Sequence, residues 1–400
     1  MSARTTSSPD GPELSRRSML GTFGLAGASV LVAGSGVLSY RVFDNGVLDA
    51  GAGAPYEAWT RWRDDPSPVG AVGAAILAAN PHNTQPWSFL ATAGSVDVFA
   101  DPRREMPVVD PYQREHHVGL GCAIENLVLA LRARGHASDV HLMPSTDDPS
   151  HVASIALSAA PKTSGALHAA IGERHSNRGP YRAGALATST LRQLERQVTD
   201  LPGVGLRWFD SASELREMGD LIVSATEAFI GDRAQSAEAF SWFRNGRDSI
   251  DEHRDGPTLD AQGLDQVTLA LAKILPASSR TSDDAFWLDQ TRDVHTATAS
   301  AYGVLTVADS DDPVQRLRAG RALERIHLAA TAHGVALQHM NQVTERIDRE
   351  RSLGLPPTFA PLLASLVDRG DAEPLVTFRI GRAVRAPRPS PRRSLAEVLR

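Results

Sequence analysis

Residues 80–89 read NPHNTQPWSF, and the order of elements follows from this stretch. Pro81 starts a turn, His82, Asn83, Thr84 and Gln85 make a polar cluster, and Pro86 precedes the large aromatic Trp87. A proline disfavours the helical region for the residue before it, so Pro86 drives Gln85 out of a helix. A helix must therefore end here and an extended segment begin. Upstream, the Ala-rich run 69–79 predicts that helix. Downstream, Ser95 to Ala100 alternates apolar and polar residues as a strand does. A polar loop fixed between two rigid elements is a place to hold a ligand. An ordinary helix-to-strand corner is the competing reading.

Further along, residues 112–134 carry Leu120, Ile124, Leu127, Val128 and Leu131 on one helical face, and Gly135 terminates the run. Short strands are expected at 140–143 and 152–157. A helix at 191–198, a strand at 204–209 and a helix at 212–229 follow. A second long helix, 314–333, ends at Gly334 and leads into a strand at 335–340, and residues 374–381 close as a last strand. The succession of long apolar helix, glycine and strand thus occurs twice. It predicts an α+β chain of two similar halves folded against each other, residues 55–161 and 165–400. Between helical blocks, residues 232–284 read as an irregular polar insertion with Trp242, Phe243 and a turn at Asp255-Gly256-Pro257. A loop of that length suggests a lid, and packing of Trp242 and Phe243 onto the core is the alternative.

At 400 residues, 42% hydrophobic and 22% charged, the chain has material for a sizeable core. A formal charge of −6 leaves no basic excess for general nucleic-acid binding. The single cysteine, Cys122, has no internal disulfide partner and sits in an apolar helical run. Residues 1–52 read as targeting rather than fold. Arg16-Arg17 before an uncharged Gly- and Ala-rich run resembles a Tat export signal, either cleaved or kept as a membrane anchor. The expectation is an exported protein in the cell envelope or beyond it, delivered by the Tat machinery.

Two stretches resemble motifs of one family. Ala79–Trp87, ANPHNTQPW, is similar to the PSxxNxQPW signature of the nitroreductase-like flavoproteins, and Glu173–Tyr181, ERHSNRGPY, resembles that family's phosphate-gripping RHSxR/K motif. The family's homodimers take one motif from each subunit. Here each occurs once, which resembles the Acg-type branch, where one chain acts as its own partner. The resemblance implies a nitroreductase-like fold, an intramolecular pseudo-dimer, a monomeric chain and one FMN. It also implies an oxidoreductase for a small-molecule substrate, or an FMN-sequestering protein without turnover. The cofactor-holding residues it implies are Arg174, His175, Ser176 and Arg178 from the second motif and Asn83 and Gln85 from the first; His82, at a variable position of that signature, is a further candidate to contact the cofactor, to narrow the pocket or to stabilise the turn. Arg392 and Arg393 best match the family's C-terminal arginines, ahead of Arg382 and Arg385. The chemistry suits those roles: guanidinium forks and a hydroxyl donate to phosphate, and an amide both donates and accepts. No side chain is expected to act as acid or base. Ala79 and Asn80 depart from the signature's Pro-Ser pair. The first half lacks a counterpart of RHSNR, so a second flavin site is not expected.

Other constellations are set aside. The spacing of His327, His333 and His339 points them to different faces of a helix, and Gly334 interrupts it, so zinc is not expected. Adjacent His116 and His117 should point apart. Gly119-Leu120-Gly121 lacks the context of a dinucleotide loop and falls in or near the start of its helix.

Overall fold

The computed structural model describes residues 45–47, 49–275, 277–368 and 370–400. The twin-arginine segment and its apolar run lie outside the described residues. Among the described residues no helix is long and apolar enough to cross a membrane.

The first half contains α1 (Pro68–Ala75), β1 (Trp87–Ala91), β2 (Ser95–Ala100), α2 (Arg114–Arg134), β3 (His136–Leu142) and β4 (His151–Ala159). Its strands form an antiparallel sheet in the order β1-β2-β4-β3, with Trp87 opposite Ala100. Ser67 caps α1 by accepting the Gly70 N–H. Gly135 ends α2 in the left-handed conformation, φ 93°.

The second half begins with α3 (Thr188–Glu195), β5 (Gly205–Phe209) and α4 (Ala212–Gly231). The insertion follows as α5 (Arg233–Ser241), α6 (Arg247–His253), α7 (Gln266–Ile274) and α8 (Arg280–Gln290). The half then completes itself with β6 (Ala301–Val307), α9 (Pro313–Ala332), β7 (Ala336–His339), α10 (Gln342–Ser352), α11 (Phe359–Val367) and β8 (Glu373–Gly381). Its antiparallel sheet runs β5-β6-β8-β7. The two sheets therefore share one strand order, and β1-β2-α2-β3-β4 corresponds to β5-β6-α9-β7-β8. The expected pair of similar α+β halves is present.

Helices α2 and α9 cross at the centre of the molecule on two glycines. A Cβ on Gly121 would stand 2.2 Å from the Leu317 carbonyl oxygen, and one on Gly320 would stand 2.1 Å from that of Val118. Any side chain at either position would force the helices apart. That is the role of Gly121, which lies well inside its helix.

Two expectations are corrected. Residues 232–284 are helical rather than irregular: Asp232 and Asp265 cap α5 and α7 with their carboxylates, and Ser279 caps α8. Strand β6, AYGVLTV, was absent from the sequence reading because every one of its residues is buried, which erases the alternation that marks a half-buried strand.

Candidate functional site

The loop between α1 and β1 is held in an unusual backbone conformation. His82, Asn83 and Gln85 have φ of 45°, 52° and 51°, the left-handed region that costs a non-glycine residue about 1–2 kcal/mol. Three segments distant in sequence over-determine it. Asn80 Oδ1 accepts the Gln85 N–H at 2.8 Å. The Asn83 amide donates to the carbonyls of Gly256 (3.2 Å) and Pro391 (3.0 Å), and its oxygen accepts from Arg392 Nη1 at 2.6 Å. Gln85 donates to the Arg254 carbonyl at 2.8 Å and accepts the Arg393 N–H at 2.8 Å. Arg104 ties the Thr84 carbonyl (2.7 Å) to Asp255 (2.9 Å).

Beside this loop a cavity of about 660 Å³ lies between the halves, beneath the insertion. That volume is within the range of sites for cofactor-sized molecules. The first half contributes Asn80, Pro81 and His82, with Glu115, Val118, Gly119 and Cys122 from α2. The second half contributes Ser176, Arg178, His295, Gln338, His339, Asn341 and Glu345. The roof is aromatic: Phe229 from α4, Phe240 and Phe243 from the insertion, and Phe286 and Trp287 from α8. Phe243 thus faces the cavity. Trp242 packs instead against Met106, Val109 and Phe229.

Arg178 sets the electrostatics of the polar wall. Its guanidinium donates to one carbonyl, Ala261 O at 3.3 Å, and has no carboxylate partner among the described residues. Burial pulls its pKa down, yet arginine stays charged in proteins. The histidines around it are neutral. His82 is held down at about 4 by burial and by Arg178, and its Nδ1 has no partner. His339 is held at about 3 by burial, then Arg174 and Arg178, and His295 falls well below the usual range through burial, then Arg379 and Arg178. A cation with most of its five donors unmatched, ringed by neutral groups, fits an anion.

A second feature of the wall is acidic. Glu115 and Glu345, both buried, face the cavity. Burial, then Asp110 and Asp348, raises Glu345 to about 8 against the counter-pull of its hydrogen bond with Glu115. Burial and the charge of Glu345 raise Glu115 well above the usual carboxyl range. Burial thus favours the protonated form of both carboxyls. Sequence reading missed this pair because its members lie on helices of different halves.

The other residues expected at the cofactor are placed differently. Arg174 does not line the cavity: its Nε lies 3.0 Å from Glu324 Oε1, and Nη2 donates to the Leu77 carbonyl. The arginine is buried between the halves. His175 packs edge-on against Trp59 at 4.2 Å. Asn83, Gln85, Arg392 and Arg393 form the clasp around the loop. Arg392 also lies over Trp59 at 4.7 Å and donates to the Leu77 carbonyl at 3.2 Å. For these six the geometry shows a structural tie, whereas His82, Ser176 and Arg178 meet on the cavity wall with Asn80.

The histidine readings change in detail. His327 and His339 come together, with ring centroids 5.5 Å apart, because β7 runs back beside α9 after Gly334. His116 and His117 touch edge-on at 5.9 Å rather than pointing apart. Among the described residues no group of three or more histidine, cysteine or acidic side chains is arranged to hold a metal.

No family model matches the chain. The chain is similar to three proteins of Mycobacterium tuberculosis (strain ATCC 25618 / H37Rv). It is 28% identical to "Putative NAD(P)H nitroreductase acg" over 336 residues, 82% of this chain and 93% of that protein. It is 28% identical to "Putative NAD(P)H nitroreductase Rv3131" over 265 residues, 66% and 72% of the two chains. It is 25% identical to "Uncharacterized protein Rv3127" over 355 residues, 82% and 91%. Among solved structures, the FMN-dependent nitroreductase NfnB from Mycobacterium smegmatis in complex with NADPH aligns with a TM-score of 0.36 and 13% identity, over 59% of this chain and 97% of that one.

Proposed function

We propose that the cavity between the halves binds one FMN per chain, and that the protein is an oxidoreductase of the nitroreductase type acting on a small aromatic, nitro or quinone-like acceptor. The observation that carries this reading is Arg178, a half-buried guanidinium with no carboxylate partner among the described residues, on the wall of a cofactor-sized cavity. The names of the acg and Rv3131 relatives support it.

When bound, the flavin would supply the chemistry of accepting hydride at N5 and passing it on. The chain's residues bind and orient. Arg178 and Ser176 would hold an anionic or carbonyl edge of the cofactor, and Asn80 and His82 would face it from the loop. The aromatic roof would shield a bound ring from water and offer it flat faces. The Glu115–Glu345 pair, biased by burial towards its protonated form, lies beside the cavity. The clasp of Asn83, Gln85, Arg392 and Arg393 holds the loop in its strained form, so those residues act on the site through its shape.

The roof also favours a second reading, an FMN-sequestering protein without turnover. Phe240, Phe243, Phe286 and Trp287 line the cavity, and in this reading they fill the acceptor space over the flavin. Export by Tat through residues 1–52, with cleavage or anchoring, remains part of the proposal on the strength of Arg16-Arg17 and the run that follows.

An absorption spectrum of the purified chain after incubation with FMN, followed by anaerobic NADPH, tests both readings. A bound flavin that bleaches supports the oxidoreductase, and one that persists supports sequestration. Failure to retain FMN overturns both.

A further inference from the structure

The duplication relates the cavity to a second cleft. The same sequence interval separates Gly121 from Gly320 and Gly135 from Gly334, so α2 and α9 align residue for residue. Under that alignment Glu115, Gly119 and Cys122, which line the cavity, correspond to Val314, Arg318 and Arg321. All three of these line a separate cleft of about 770 Å³. Strand β3 takes the place of β7 there, and the loop before β5 takes the place of the loop before β1. The cleft is therefore the geometric counterpart of the cavity, with its chemistry changed. Where the cavity has a glycine and a cysteine, the cleft has two arginines, and Arg132 and Arg325 join them.

Two of the four guanidinium groups are held by carboxylates, the buried Glu125 and Asp200 on the cleft wall. Glu125 accepts Nε of Arg321 at 2.8 Å and Nε of Arg325 at 2.6 Å, and Asp200 accepts Nη1 of Arg325 at 2.7 Å. Arg318 and Arg132 have no carboxylate partner among the described residues. Four cations thus meet two anions in one concave surface, and the buried Glu125 fixes two of the forks in orientation. Arg318 and Arg321 put charge where the cavity has small side chains, and guanidinium forks match phosphate oxygens.

We propose that this cleft is a second ligand site, specific for a small phosphate anion, and that it takes no flavin. The proposal stands on the duplicated geometry and does not rest on the function assigned to the cavity.

Calorimetric titration of the full chain with inorganic phosphate, against sodium chloride of equal ionic strength, tests it. Saturable binding is expected, retained by the Arg178→Ala variant and weakened roughly tenfold to hundredfold in the Arg132→Ala/Arg318→Ala double variant. Neither Arg132 nor Arg318 compensates a buried acid, so the double variant should melt like the parent without phosphate. Absence of saturable heat beyond chloride would overturn the proposal. So would loss of binding in Arg178→Ala, which would place the anion in the cavity, or an equal weakening by Arg61→Ala on the exposed surface, which would reduce the effect to bulk charge.

Discussion

Arg174 and Arg178 belong to one short motif, yet they live in different physical worlds. Arg174 sits between the halves against the buried Glu324 and a backbone carbonyl. Arg178 faces a cavity with one weak carbonyl contact and no carboxylate partner among the described residues. The difference teaches that a motif's letters do not divide the labour among its residues. The fold decides which cation is tied into the packing and which faces open space.

The largest effect expected from breaking this contrast is on Arg174. Arg174→Ala strands Glu324 without its cation and should cost about 3–5 kcal/mol of stability, read by chemical denaturation. Arg178→Ala should do the reverse: the denaturation curve stays near the parent's while FMN affinity falls roughly tenfold to hundredfold, read by flavin fluorescence quenching. If Arg174→Ala folded normally but lost flavin, the two roles assigned here would be exchanged. Asn83→Ala, which leaves Arg392 and two backbone carbonyls short of a partner, should cost about 1–3 kcal/mol. Its flavin affinity should fall only as the loop relaxes.

The smallest expected effect is a slope with pH. Glu345 is raised from 4.5 to about 8, so the folded chain holds a proton that the unfolded chain has released. That contribution is present at low pH and lost as pH rises towards about 8. The buried histidines act oppositely: their folded values lie below 6.5, so their penalty grows as pH falls beneath 6.5. Between pH 6.5 and 8 the carboxyl effect is left alone. Melting temperature should fall across that window in the parent, and Glu345→Gln should flatten the fall.

Much of this architecture was legible in the sequence, because its signals are local. Gly135 and Gly334 each follow a long apolar helix, and that repeat exposed the two halves. Pro86 marked the corner, and alternation marked β2. Strand β6 was hidden because burial on both faces leaves no period to read. The helices of the insertion were hidden among polar surface residues, where Asp232, Asp265 and Ser279 cap them without an apolar period to mark the helices that follow. At the site, the resemblance to two family motifs offered Arg178, Ser176 and His82 as candidates, and residue chemistry agreed with it. Chemistry could not separate them from Arg174, Arg392 and Arg393, because all are suitable donors and only packing distributes them. The Glu115–Glu345 pair depends on the approach of α2 to α10, which no short-range pattern encodes.

The clasp also has a consequence in time. Asn83 waits for Arg392, 309 positions later, and β1 waits for the segment that pairs Leu399 with Phe89. At 5–20 residues per second of synthesis, that interval is roughly 15–60 s during which the strained loop has no clasp. Nascent chains and fragments ending before residue 392 lack the tie altogether. The loop should therefore take its final shape among the last events of folding, so that the site matures only after both halves of the protein have been made.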